Sequence, residues 1–79
     1  MSIFQNKQFI PLADKISFTE DMLNVYLVDG RILSVPIDYF PKLSTASSSD
    51  KNNWRLVGGG IGIHWETLDE DISVKGLLQ

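Results

Sequence analysis

Residues 54–78 read W-R-L-V-G-G-G-I-G-I-H-W-E-T-L-D-E-D-I-S-V-K-G-L-L, and the fold turns on how this stretch pairs with itself. It holds both tryptophans and the one histidine of the chain. Large apolar residues alternate with small or polar ones on both sides of the glycines, the period of a half-buried strand. A two-residue turn at Gly58 and Gly59 would pair Leu56 with Ile61 and Trp54 with Ile63. Trp65 then continues the same face, while Arg55, Val57, Gly62 and His64 point away. Turn chemistry and alternation agree, which favours a hairpin. Glu66, Asp69, Glu70 and Asp71 follow as an acidic loop, and Ile72, Val74, Leu77 and Leu78 form a last apolar patch. Ser73 is placed to cap a final helical turn.

Upstream, M-L-N-V-Y-L-V-D-G-R-I-L-S-V-P-I (residues 22–37) reads as another hairpin. A two-residue loop at Asp29 and Gly30 would set Leu23 opposite Pro36, a poor apolar match. A three-residue loop of Val28, Asp29 and Gly30, with Gly30 left-handed, pairs Val25 with Leu33 and Leu23 with Val35. The second register gathers Leu23, Val25, Leu27, Leu33, Val35 and Ile37 on one face, and Asn24, Tyr26, Ile32 and Ser34 on the other. Ile16 and Phe18 alternate with Ser17 and Thr19, so residues 15–19 predict a further strand. Asp38 can cap a short helix with Pro41 in its first turn and Phe40, Leu43 and Ala46 on one side. The polar run after it suits a loop, with one helical turn at most, capped by Ser48 or Ser49.

These elements predict an α+β fold: a small antiparallel sheet of two hairpins plus an N-terminal strand, covered by one short helix and closed by a short C-terminal helical turn. Residues 1–13 read as an arm and residues 14–79 as a single domain. Hydrophobic residues make up 43% of the chain and charged ones 22%, a globular balance far from that of disordered chains. There is no cysteine, so neither a disulfide nor a thiolate metal site supports the fold. No apolar run reaches membrane-spanning length and no basic-then-apolar leader opens the chain, which makes the cytoplasm the expected location. The net charge of −3, with basic residues scattered, argues against nucleic-acid binding by the chain alone.

His64 is the one side chain suited to acid-base work near neutral pH, and it stands close to Glu66, Asp69, Glu70 and Asp71. A strand residue followed by acids on a turn does not ensure convergence, so no catalytic, metal or cofactor residue is assigned. The spacing also lacks the pattern of a calcium loop. The run V-G-G-G-I-G leads into a strand, whereas a phosphate loop opens a helix. Gly60 and Gly62 leave the outer face bare, either to relieve crowding or to admit another backbone. Sheet edges in so small a fold can also pair with a second copy of the chain.

The motifs M-L-N-V-Y-L-V-D-G-R, V-P-I-D-Y-F-P-K-L and above all G-I-G-I-H-W-E-T-L-D-E-D-I-S-V-K-G-L-L make residues 16–78 resemble a bacterial family, domain of unknown function 2442. Glu66 departs from the pattern, since many relatives carry proline after the tryptophan. The resemblance implies a small α+β domain without recognised catalytic residues. Some relatives are fused to helix-turn-helix domains, and many are encoded beside a small basic protein in arrangements resembling toxin and antitoxin pairs. It thus implies a non-catalytic, antitoxin-like partner-binding domain, with His64, Trp65, Glu66, Asp69, Glu70 and Asp71 as candidate contacts. A DNA-associated regulatory module, and a metal- or ligand-binding domain around His64 to Asp71, stand as alternatives.

Overall fold

β1 (Ala13–Thr19), β2 (Met22–Leu27) and β3 (Ile32–Pro36) form an antiparallel meander in that order, in a computed structural model that describes residues 10–78. β4 (Trp54–Val57), β5 (Gly62–Trp65) and β6 (Glu70–Ser73) form a second meander, also in chain order. The architecture is α+β, but the expected single sheet is replaced by two three-stranded sheets whose apolar faces share one core. The arm expected over the first residues lies mostly outside the described part. β1 begins at Ala13, rather than at Lys15, with a register shift between them.

The first sheet follows from its side-chain period. Leu23 pairs with Val35 and Val25 with Leu33, the register of the three-residue loop. Gly30 takes φ 98° there, a left-handed value that glycine adopts without strain, and Leu27 N closes the loop by donating to Arg31 O at 2.8 Å. Ile16 and Phe18 lie opposite Val25 and Leu23, so the apolar face runs across all three strands. The reverse face is closed by polar contacts. Asn24 is buried, its Nδ2 donating to Thr19 Oγ1 at 2.9 Å and its Oδ1 accepting from Ser34 Oγ at 2.7 Å.

The second sheet departs from the expected register by two residues. Leu56 pairs with Ile63 and Trp54 with Trp65, leaving residues 58–61 as the loop. A two-residue slip preserves the faces, so Trp54, Leu56, Ile63 and Trp65 still share the inner one, while Ile61 leaves it and is exposed. The cause is a contact outside the hairpin. Gly60 has φ 109°, and a Cβ on it would lie 2.5 Å from Ala13 O and 3.0 Å from Ala13 N. The longer loop lets bare backbone seat directly on β1.

Between the sheets, a 3-10 turn at Ile37–Tyr39 leads into α1 (Pro41–Ser44) and α2 (Ser48–Lys51). The short helix expected here is thus a 3-10 turn followed by a single helical turn, and α2 is the one further turn that the polar run allows. Phe40 occupies the cap position of α1 without a side-chain bond, and Asp38 falls inside the 3-10 turn and caps nothing. Pro41 fits the first helical position, where its missing N–H is no loss. Ser47, not Ser48 or Ser49, caps α2, accepting from Asp50 N at 3.1 Å. Lys51 O accepts the Trp65 indole N–H at 2.9 Å, and Lys51 Nζ lies 5.5 Å from the centre of the Phe18 ring. α2 thus joins the two sheets. Leu23, Val25, Leu43, Ile63, Trp65 and Val74 are the largest fully buried side chains. After β6, α3 (Val74–Leu77) is capped by Ser73, whose Oγ accepts from Gly76 N at 3.2 Å, as the sequence predicts. No helix among the described residues is long and apolar enough to cross a membrane.

Candidate functional site

The acidic segment is not a loose loop. A turn at residues 66–69 joins β5 to β6, with Asp69 at φ 50° and its N–H donated to Glu66 O at 3.4 Å. Glu70 and Asp71 lie on β6, opposite Trp65 and His64. The strand follows from E-D-I-S-V, in which Ile72 and Val74 face inward and Asp71 and Ser73 outward. The acids hide this period because charged residues rarely favour strands.

Alternation on β5 sends Ile63 and Trp65 into the core and His64 to the outer face. Trp65 is 0% exposed and its indole is satisfied by Lys51 O, so it supports the site from beneath and offers no surface to a partner. His64 sits in a row across the sheet, paired with Arg55 on β4 and Asp71 on β6. Its Nδ1 is 2.6 Å from Asp71 Oδ1, and its Nε2 is 3.4 Å from Glu66 Oε1. Glu66 Oε1 also accepts from Arg55 Nε at 3.4 Å. Carboxylates only accept, so the doubly protonated ring alone donates to both at once. Arg55, Glu66, His64 and Asp71 form a polar chain across the outer face, in which the acids are exposed, the Asp71 side chain 72%, while the His64 side chain between them is only 15% exposed. Each such pair contributes only about 0.2–1 kcal/mol.

The remaining acids divide. Glu70 faces Lys42 of α1, 3.9 Å from its Nζ, and the same ammonium donates to Asp69 O at 3.0 Å. Thr67 Oγ1 donates to Asp50 Oδ1 at 3.1 Å, tying the turn to α2. The Asp69 carboxylate has no ion pair among the described residues and is exposed. Lys42 is the neighbour that spacing in the sequence does not reveal, and Arg55, expected on the same outer face as His64, comes directly opposite it only in the observed register. Among the described residues no three His, Asp or Glu side chains converge as a metal ion requires.

Two hollows flank β6. The larger, about 420 Å³, lies between β6 with α3 and the end of β3, lined by Val35, Tyr39, Phe40, Ile72 and Leu77 among others. The smaller, about 260 Å³, lies on the outer face over Gly62, between Val57, Ile61 and Ser73. A Cβ on Gly62 would meet Val57 Cγ2 at 3.1 Å and Ile72 O at 3.3 Å, so its bareness relieves crowding and also opens this hollow.

The profile of "Protein of unknown function (DUF2442)" matches residues 13–79. The chain belongs to the DUF2442 family. A DUF2442 fold of this kind is similar to the crystal structure of a protein of unknown function from Rhodospirillum rubrum, at 33% identity and TM-score 0.74. That match covers 86% of this chain and 84% of the other. An uncharacterised protein of Chromobacterium violaceum, solved by NMR, shares the fold at 23% identity and TM-score 0.72. There the match covers 85% of this DUF2442 chain and 63% of the other. No curated protein matches significantly.

Proposed function

We propose that this chain is a small non-catalytic protein-binding domain that presents the β5 and β6 hairpin to a basic partner, in the manner of an antitoxin-like protein in the cytoplasm. One observation supports this reading above the rest: Glu66, Asp69 and Asp71 are exposed on a turn and strand held in place by Trp65, Lys42 and α2. A rigidly displayed acidic surface meets a basic partner with little ordering cost. The antitoxin-like part of the proposal rests on the family resemblance alone.

Co-expression with the products of neighbouring genes, followed by size-exclusion chromatography, tests it. The expected result is a complex with one small basic protein that weakens in raised salt. Reversing Asp69 and Asp71 to lysine together should weaken it at least about tenfold while the melting transition of the free domain persists. A complex indifferent to both salt and reversal would place the contact elsewhere on the surface.

A further inference from the structure

Hydrogen-bond alternation sets which backbone groups of β6 are unpaired. Val74 N donates to Ile61 O at 3.0 Å, and antiparallel residues that exchange bonds recur at every second position. Ile72 and Glu70 therefore bond to Ile63 and Trp65, and the N–H and C=O groups of Asp71 and Ser73 point away from β5. β6 is an outer strand of its sheet, so among the described residues both groups of Asp71 and the N–H of Ser73 have no ladder partner, while the Ser73 C=O, at the N-cap of α3, begins that helix. In the other sheet the outer strand β3 ends instead in Pro36, which has no N–H to offer.

The β6 edge is bordered on both sides by the two hollows, with Asp71, Ile72 and Ser73 common to them. A strand laid beside β6 would alternate its side chains between the two faces. On the inner side they meet the apolar cleft of Val35, Phe40 and Leu77; on the outer side they lie level with Asp71 and the hollow over Gly62. Charge selects the occupant. A second copy of β6 would bring acids against Asp69 and Asp71, and like charges across strands are destabilising.

We propose that β6 accepts an extended segment of a basic partner as a fourth strand, with Lys or Arg opposite Asp71 and apolar residues facing the cleft beside Ile72. The proposal rests on the protein-binding reading above and specifies its mode, main-chain pairing with side-chain selection.

A labelled peptide, acetyl-V-K-V-K-V-amide, is the probe, with V-E-V-E-V as its charge control. Ser73→Pro removes one outward N–H, and the Ser73 φ of −85° lies close to the value proline imposes. Ser73→Ala reproduces the lost helix cap without touching the edge. The peptide should slow amide exchange at Asp71 and Ser73 in the wild-type chain, with affinity falling about tenfold in Ser73→Pro and less than about twofold in Ser73→Ala. Asp71→Lys should turn the preference toward the glutamate peptide. Binding of the lysine peptide without protection at Asp71 and Ser73, or equally by both Ser73 variants, would overturn strand addition and leave the acidic-surface reading standing. Equal binding of both peptides would overturn the charge selection, and concentration-dependent protection without peptide would make the occupant a second copy. If no basic peptide or protein binds, both readings fall. Should Ser73→Pro not fold, the wild-type exchange pattern decides.

Discussion

Replacing Gly60 by alanine probes the contact that sets the register of the second sheet. Gly60 has φ 109°, outside the region an L-residue occupies comfortably, and a Cβ would lie 2.5 Å from Ala13 O. The left-handed backbone alone costs alanine about 1–2 kcal/mol. The overlap is with backbone, which cannot rotate aside, so β1 must move from the loop at a further cost of about 1–3 kcal/mol. The sum, about 2–5 kcal/mol, is a large part of the roughly 5–15 kcal/mol that holds a small domain together. Gly59→Ala is the control: φ is 69°, and nothing lies within 4 Å of the added Cβ. It should cost only the backbone term, about 1–2 kcal/mol. Urea unfolding followed by tryptophan fluorescence reports both, since Trp65 is wholly buried in the native state. Each kcal/mol should also lower Tm by about 4–8 °C in a domain of this size. If the two variants unfold within about 0.5 kcal/mol of each other, the contact with Ala13 does not set the loop.

Three further outcomes follow from named contacts. Asn24→Ala removes the hub between Thr19 and Ser34 behind the first sheet and should cost about 1–3 kcal/mol in the same assay. Trp65→Phe deletes the donor to Lys51 O and leaves a gap beside α2, so about 1–3 kcal/mol should be lost, with α2 amides exchanging faster than those of β2. The Asp29 carboxyl is held below its ordinary value, first by the Arg31 backbone N–H at 3.0 Å and, against an opposing effect of desolvation, by the Arg31 guanidinium. Because the folded value is the lower one, the stabilisation is complete above the ordinary carboxylate range and is lost as pH falls through the depressed folded value. Asp29→Asn should therefore be less stable than wild type near neutral pH, with the gap closing in acid; a gap independent of pH would refute the link.

The first hairpin was legible because two local signals coincide: Asp29 and Gly30 dictate the turn, and the alternation from Leu23 to Leu33 dictates the face. The helix boundaries were not, since Asp38, Ser47, Ser48 and Ser49 are all competent caps and the docking of Trp65 on Lys51 O selects among the resulting turns. For the candidate site, His64, Glu66 and Asp71 were visible as residue types, and they do meet. Trp65 points the other way into the core, Lys42 enters from an element distant in the chain, and Arg55, legible on the same outer face, is set opposite His64 only by the two-residue change of register.

Side-chain period and turn chemistry are local, and they were enough to assign the strand residues of both hairpins to the inner or outer face, Ile61 excepted, which passes into the loop. Even a two-residue slip keeps that assignment, because the strand period is two. The loop at residues 58–61, the division into two sheets and the strand β6 rest on contacts between segments remote in sequence, such as Gly60 with Ala13 and Val74 N with Ile61 O. A glycine run permits turns of several lengths at nearly equal local cost, so the choice among them falls to what the backbone packs against.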